Sequence, residues 1–199
     1  MDLVDYFNQR DVFEDQTIEG AAAPGLELAG KEFYRCTFRR VKMPESLWRG
    51  THLEDCNFEE AELTRMQPAG LVLRDVAFRG CKLLGTDWTN VGRNPQLCFT
   101  DCDLRYASFV GTCLRRTPFL RCKAIEANFI ETDLTDADFT GTDLSGSVFE
   151  RATLCNAKLA GASGVYVDPT KNRVKGAVIS AESSVLLALS LGFLVDGYD

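Results

Sequence analysis

Large apolar residues recur along this chain at every fifth position, most clearly in residues 127–159. There Phe129, Leu134, Phe139, Leu144, Phe149, Leu154 and Leu159 each follow a small residue two positions earlier, with mostly polar residues between them, as in Ala137-Asp138-Phe139-Thr140-Gly141. A period of five fits neither an amphipathic helix, with 3.6 residues per turn, nor a flat strand, which alternates every second residue. Each five-residue unit is therefore read as one side of a coil in a repeat architecture.

The phase extends over most of the sequence. Phe13, Ile18, Leu28, Phe33, Phe38, Met43, Trp48, Leu53, Phe58, Leu63, Leu73, Phe78, Leu83 and Trp88 share one register, and Phe99, Leu104, Phe109, Leu114, Phe119 and their successors continue it displaced by one residue. The displacement falls in residues 90–96 and predicts a small bulge that leaves the winding unchanged. With four units to a square turn of about twenty residues, the centres sort into four stacks. Ile18, Phe38, Phe58, Phe78, Phe99, Phe119 and Phe139 face a second aromatic stack containing Trp48, Trp88, Phe109, Phe129 and Phe149; two mainly aliphatic stacks lie between them. In that ordering Arg93 falls on a core centre between Leu73 and Leu114.

These residues resemble the pentapeptide-repeat family, whose motif runs Ala, Asp or Asn, Leu or Phe, then two variable residues. The match covers residues 13–164. The resemblance implies an all-β fold, a right-handed quadrilateral parallel β-helix, here with a short C-terminal helix. Residues 1–164 would form the β-helix with its N-terminal cap; residues 165–199 would form a connector, a dimerisation helix and a tail. Gly and Pro in residues 20–25, 66–70 and 90–96 mark loose turns or short loops, and Arg93 and Asn94 are the candidate loop contacts.

After Gly164 the five-residue pattern is expected to stop. Residues 174–179 read as a short strand, and Ser180 as the N-cap of a helix over residues 181–191 that Gly192 ends. That helix and the residues after it carry more apolar surface than one coil end needs, and such surface marks interfaces. A homodimer through Val185, Leu186, Leu189, Phe193 and Leu194 is the expectation.

Charge adds a functional candidate. The chain has 29 acidic and 22 basic residues, a net charge of -7. Residues 124–150 hold Glu126, Glu131, Asp133, Asp136, Asp138, Asp143 and Glu150 and neither Lys nor Arg, so the whole excess lies there. Carboxylates spaced along a rod resemble the field of a DNA duplex to a DNA-binding protein. The acidic sign opposes direct nucleic-acid binding, and the acidic start without a long apolar run predicts a cytoplasmic protein with no membrane segment.

Within the family, the rod ending in a Leu-rich helix, and the stretch Cys81-Lys82-Leu83-Leu84-Gly85-Thr86-Asp87-Trp88-Thr89, are similar to the topoisomerase-modulating branch of Qnr-, MfpA- and AlbG-like proteins. The resemblance implies a DNA mimic that binds DNA gyrase or topoisomerase IV and protects it from a poison such as a quinolone or albicidin. The alternative is a β-helical scaffold that binds some other protein. Long projecting loops of the Qnr type are missing. No phosphate loop, nucleophile elbow or metal-spaced cluster appears, His52 is a lone outward histidine, and no catalytic role, cofactor or metal is expected. Of eight cysteines, Cys36, Cys56, Cys81, Cys102 and Cys122 take the small inward position, where stacked side chains run parallel and read as reduced, buried thiols.

Overall fold

The computed structural model describes residues 3–197. The backbone needs a sharp corner every five residues, and the fifth position of each unit supplies it. Gly20, Gly25, Gly30 and Gly50 have positive φ there, and so do Asp15, Arg35, Asp55, Glu60 and Asp136, with φ between 52 and 60°. Polar residues dominate this position because it points to solvent and because they adopt the left-handed region at less cost than β-branched ones.

Between corners the chain is extended. The named strands are β1 (Val12–Glu14), β2 (Thr17–Glu19), β3 (Glu32–Tyr34), β4 (Thr37–Arg39), β5 (His52–Glu54), β6 (Asn57–Glu59), β7 (Val72–Arg74), β8 (Val76–Arg79), β9 (Leu97–Thr100) and β10 (Phe119–Leu120). They pair only in parallel, as the sheets β1-β3-β5-β7 and β2-β4-β6-β8-β9-β10. Elsewhere single parallel bridges replace strands, as in the ladder Lys42, Glu62, Lys82, Asp103, Lys123, Asp143, Ser163. The fold is the right-handed four-sided β-helix that the family resemblance implies, with the four-sided coil expected from the period. The ladder from Thr17 to Val178 makes a column roughly 38 Å tall at the usual strand spacing.

The centres fill the tube. Phe38, Phe58, Phe78, Phe99, Phe119 and Phe139 stack face to face, with centroids 4.6 to 5.4 Å apart. They meet Trp48, Trp88, Phe109 and Phe129 edge-on across the tube at 5.6 to 6.1 Å. Offset stacking along the axis and edge contacts across it are the two favourable geometries for aromatic quadrupoles, so both stacks are satisfied at once.

The small inward position also carries hydrogen bonds. The thiols of Cys36, Cys56, Cys81 and Cys102 donate to the carbonyls of Phe13, Phe33, Phe58 and Phe78 in the coil below, at 3.3 to 3.4 Å. Thr51, Thr132 and Thr142 do the same with hydroxyls at 2.6 to 2.8 Å. All eight cysteines are free of disulfides. A neighbouring thiol, with burial, pushes Cys56, Cys81 and Cys122 above the ordinary cysteine range, which keeps these three protonated near neutral pH.

The N-terminal cap is a helix, α1 (Leu3–Asn8), which seats Phe7 edge-on against Phe13 and Phe33. Residues 20–25 and 66–70 are regular coil rather than loops: Ala23 and Leu26 are buried, Pro68 fills a core centre, and Leu47 bridges Gln67.

Arg93 departs from the sequence expectation. It is exposed, and the buried residue at that level is Pro95. A guanidinium has no counter-charge inside an apolar tube, and burying it unpaired would cost several kcal/mol; the extra residue lets the chain loop outward and deliver Arg93 to water. The single-residue displacement is confirmed by pairing, since Phe78 registers with Phe99 and Phe99 with Phe119.

The winding continues past Gly164, where the sequence pattern was expected to stop. Thr153 bridges Arg173 and Lys158 bridges Val178 in place of the expected strand over 174–179. Asn172 takes the small inward position, donating to the Phe149 carbonyl at 3.0 Å and accepting from the Ala152 N–H at 2.9 Å. Then α2 (Ala181–Ser190) begins on its N-cap Ser180, whose hydroxyl accepts from the Ser183 N–H. Of its side chains only Ser183 is buried, while Leu186 and Leu189, with Leu191, Phe193 and Leu194 beyond it, are exposed.

Candidate functional site

The seven carboxylates of residues 124–150 occupy the upper half of the column on all four sides. Three of them are held by the same local turn. Asp133, Asp138 and Asp143 each accept, through Oδ1, the N–H two residues on at 3.0 Å and the hydroxyl of that residue at 2.6 Å. These residues sit just before a core centre, so the backbone fixes the carboxylate beside the coil face. At Asp133 and Asp138 partial burial alone would raise the pKa. The Thr135 and Thr140 donors, with Arg115 and Lys158, outweigh it and hold both below the ordinary carboxylate range. Asp143 is lowered by the Ser145 hydroxyl and N–H.

Spatial neighbours here lie about twenty residues apart in sequence, and this changes the electrostatic picture. Asp133 pairs with Arg115 at 3.2 Å, Asp136 with Arg116 at 3.9 Å and with Asn156 at 3.0 Å, and Asp138 with Lys158 at 3.2 Å. Arg151 bridges Glu131 at 2.9 Å and Glu150 at 2.8 Å. The bases come from outside the acidic stretch, one coil above or below their partners except where Arg151 meets the adjacent Glu150. The expectation of an acid-only zone is therefore corrected: five of the seven acids have a cationic partner, and among the described residues Glu126 and Asp143 have none within ion-pair distance.

The same lattice runs down the rest of the column. Arg35 pairs with Asp15, Arg40 with Glu19, Arg39 with Glu59, Arg65 with Glu45, Lys82 with Glu62 and Arg121 with Asp101. Each exposed pair is worth about 0.2 to 1 kcal/mol alone, but together they link many of the coils to a neighbour, though none joins residues 71–91 to residues 92–111 among the described residues. His52 is partly exposed, with Nε2 3.2 Å from the Glu54 carboxylate and its ring against Tyr34. Among the described residues no cluster of His, Cys, Asp or Glu has metal-binding geometry, and no helix is long and apolar enough to cross a membrane.

Arg93 and Asn94, the candidate loop contacts, are exposed on the outward bulge, and Asn94 lines an open groove of about 670 Å³. The expected interface residues Leu186, Leu189, Phe193 and Leu194 are exposed by 50, 37, 64 and 100%, and Val185 is half-buried. The groove went unseen in the sequence because its walls come from four coils.

Taken together, these features define a class: a closed parallel β-helix of five-residue units, without projecting loops, whose outer surface is a lattice of ion pairs and whose C-terminal end is apolar. A family model described as pentapeptide repeats (8 copies) matches residues 119–151 and 132–163. It is 28% identical to Protein McbG of Escherichia coli over 86% of this chain and 91% of that protein. Its fold is similar to that of a trypsin-treated form of QnrB1, a plasmid-mediated fluoroquinolone resistance protein. That likeness has a TM-score of 0.66 and 17% identity and covers 92% of this chain and 97% of the other.

Proposed function

We propose that this protein is a non-catalytic DNA mimic that binds DNA gyrase or topoisomerase IV and protects it from, or modulates, a topoisomerase poison. The observation that carries the reading is the rod itself: a column of stacked coils whose carboxylates are fixed at coil spacing and whose apolar end is free to double its length. Two copies joined through α2, with Leu186, Leu189, Phe193 and Leu194 in the seam, would make a duplex-like rod of about 75 Å. Likeness in sequence to McbG and in fold to a fluoroquinolone resistance protein supports the reading by family.

Within it, Glu126 and Asp143 matter most, because their charges are not already compensated. A supercoiling assay with purified gyrase and this protein, with and without a poison and across a salt series, tests the proposal. Inhibition or rescue that fades as salt rises, and that Glu126→Gln with Asp143→Asn weakens more than Asp138→Asn does, is the expected result. No effect at micromolar protein refutes it. The density of ion pairs favours one rival, a scaffold that binds a different protein, and that outcome would leave the scaffold standing.

A further inference from the structure

The bulge does more than return the register. In every regular coil the N–H and C=O of the residue before a core centre point down to the coil below; Asp133 donates to the Thr112 carbonyl and accepts from the Leu114 N–H. Cys113 occupies the equivalent position one coil lower and should pair with residues 91–94. Among the described residues it has no such partner, for N–H or C=O, because the chain there is tied instead to the coil beneath, Gly92 N–H to Leu71 and Gln96 N–H to Leu73. Pro95 has no N–H to offer Arg115, whose carbonyl is also unpaired, and the Asp75 N–H on the opposite wall finds no acceptor. One short stretch of sheet edge is thus open on both sides of a gap, and Asp75, Cys113 and Arg115 all line the groove of about 670 Å³.

The charge of that groove runs against the rest of the molecule. In a protein of net charge -7 its walls present Arg79, Arg115 and Arg116 against the single acid Asp75. Among the described residues Arg79 is engaged only by the neutral Asn57 amide, at 2.6 Å, and Arg116 reaches its carboxylate only at 3.9 Å, while Arg115 is paired with Asp133 at 3.2 Å. Arg93 stands exposed beside it on the bulge. The floor is apolar, with Ala77, Leu97 and Cys98.

We propose that this groove is a docking site for an extended acidic segment of a partner protein, which enters as the strand the coil omits there. The unpaired main-chain groups of Cys113 and Arg115 supply the ladder bonds, as in other strand-addition complexes. Alternate side chains then separate by face: carboxylates meet the arginines, and small apolar residues meet Ala77 and Cys98. The inference goes beyond the topoisomerase reading and does not depend on it, since the acidic face and this basic groove are different surfaces.

The test uses the full-length protein and a fluorescein-labelled peptide of alternating Glu and Val, followed by polarisation. Matched probes of alternating Lys and Val and of oligothymidylate separate acidic peptide from cationic peptide and from nucleic acid. Saturable binding of the Glu-Val peptide alone is expected, weakened about tenfold or more by Arg79→Glu with Arg116→Glu. Hydrogen exchange on the unmodified protein supplies a readout independent of any variant: the Cys113 and Asp75 amides, open in the free protein, slow when peptide is added. Equal binding by the double variant, preference for oligothymidylate, or no change in exchange at those amides at saturating peptide overturns the proposal.

Discussion

The two tryptophans offer a direct test of how this core is held together. Trp48 and Trp88 belong to the same stack, are both fully buried, and meet Phe rings of the opposite stack edge-on at 5.6 to 5.8 Å. They differ in one respect. The Trp48 indole N–H donates to Ser46 Oγ at 2.8 Å, and Ser46 in turn donates to the Met43 carbonyl. Among the described residues the Trp88 N–H has no partner, and neither does the hydroxyl of Thr86 in the place of Ser46. Replacing either tryptophan by phenylalanine removes the same ring, at about 1 to 2 kcal/mol of lost packing and cavity. At Trp48 a hydrogen bond worth about 1 kcal/mol goes as well, whereas at Trp88 an orphaned N–H costing about 1 to 3 kcal/mol is relieved. Trp48→Phe should therefore destabilise by about 2 to 3 kcal/mol and Trp88→Phe by about 1 kcal/mol or less. Urea unfolding followed by far-UV circular dichroism, with slopes constrained to be equal, measures the difference. A companion variant, Thr86→Ser, rebuilds the Ser46 arrangement beneath Trp88 and should be neutral or stabilising. Thr51→Ser, whose hydroxyl is already bonded to the Leu28 carbonyl at 2.7 Å, should lose about 1 kcal/mol with its methyl. Equal costs for the two tryptophan variants, to within about 0.5 kcal/mol, would refute the argument that the unpaired N–H is what separates them.

Other consequences are measurable in the same way. Phe119, fully buried with Phe99 and Phe139 stacked on its faces and Phe109 and Phe129 at its edges, should cost about 3 to 5 kcal/mol when changed to Ala, read as a lowered urea midpoint. Tyr106 is an exposed corner residue at φ 60°, so Tyr106→Gly should raise stability by about 0.5 to 1 kcal/mol despite the added chain entropy. The carboxyls of Asp101, Asp133, Asp138 and Asp143 have folded-state pKa values below their unfolded ones. Their contribution is complete above about pH 5 and is lost as the pH falls through the folded-state values, so urea midpoints should drop on acidification and not on raising the pH to 8. Changing Leu186 and Phe193 to Ser should leave the β-sheet signal intact and, if α2 is the seam, give a monomer by light scattering where the parent gives a dimer.

Most of the architecture was legible because a five-residue period fits neither a helix nor a flat strand, because the repeats resemble a family of known fold, and because the stacks sort by residue type: Phe78 over Phe58, Leu53 over Phe33. The failures have physical causes. Arg93 was placed in the core by counting units of five, although a guanidinium cannot be kept there; Pro95, a poor candidate on hydrophobicity, took the level instead. The last coil was missed although Leu159, Val174 and Ile179 keep the phase, because Gly164 and Pro169 stand where centres were sought and Asn172 replaces the usual small residue. The acidic zone was misjudged for a different reason. Charge was counted along the chain, while Asp138 meets Lys158 and Asp133 meets Arg115 through space. The groove could have been anticipated only from the chemistry of Pro95 beside a register slip, since its arginines are spread over residues 79–116.

The twenty-residue offset between partners also governs how such a molecule changes over generations. Every vertical contact described above, ring on ring, thiol to carbonyl, base to acid, links a residue to the one a full coil away. A whole coil can therefore be duplicated or deleted with the stacked rings finding equivalent mates, at the cost of setting like charges together in a ladder such as Lys42, Glu62, Lys82, whereas the loss of one residue sets every later side chain on the wrong face. The bulge at residues 91–96 is the one place in the described column where an odd residue has been absorbed. Length in this protein is inherited in quanta, and the groove at the bulge is the fixed point from which the quanta are counted.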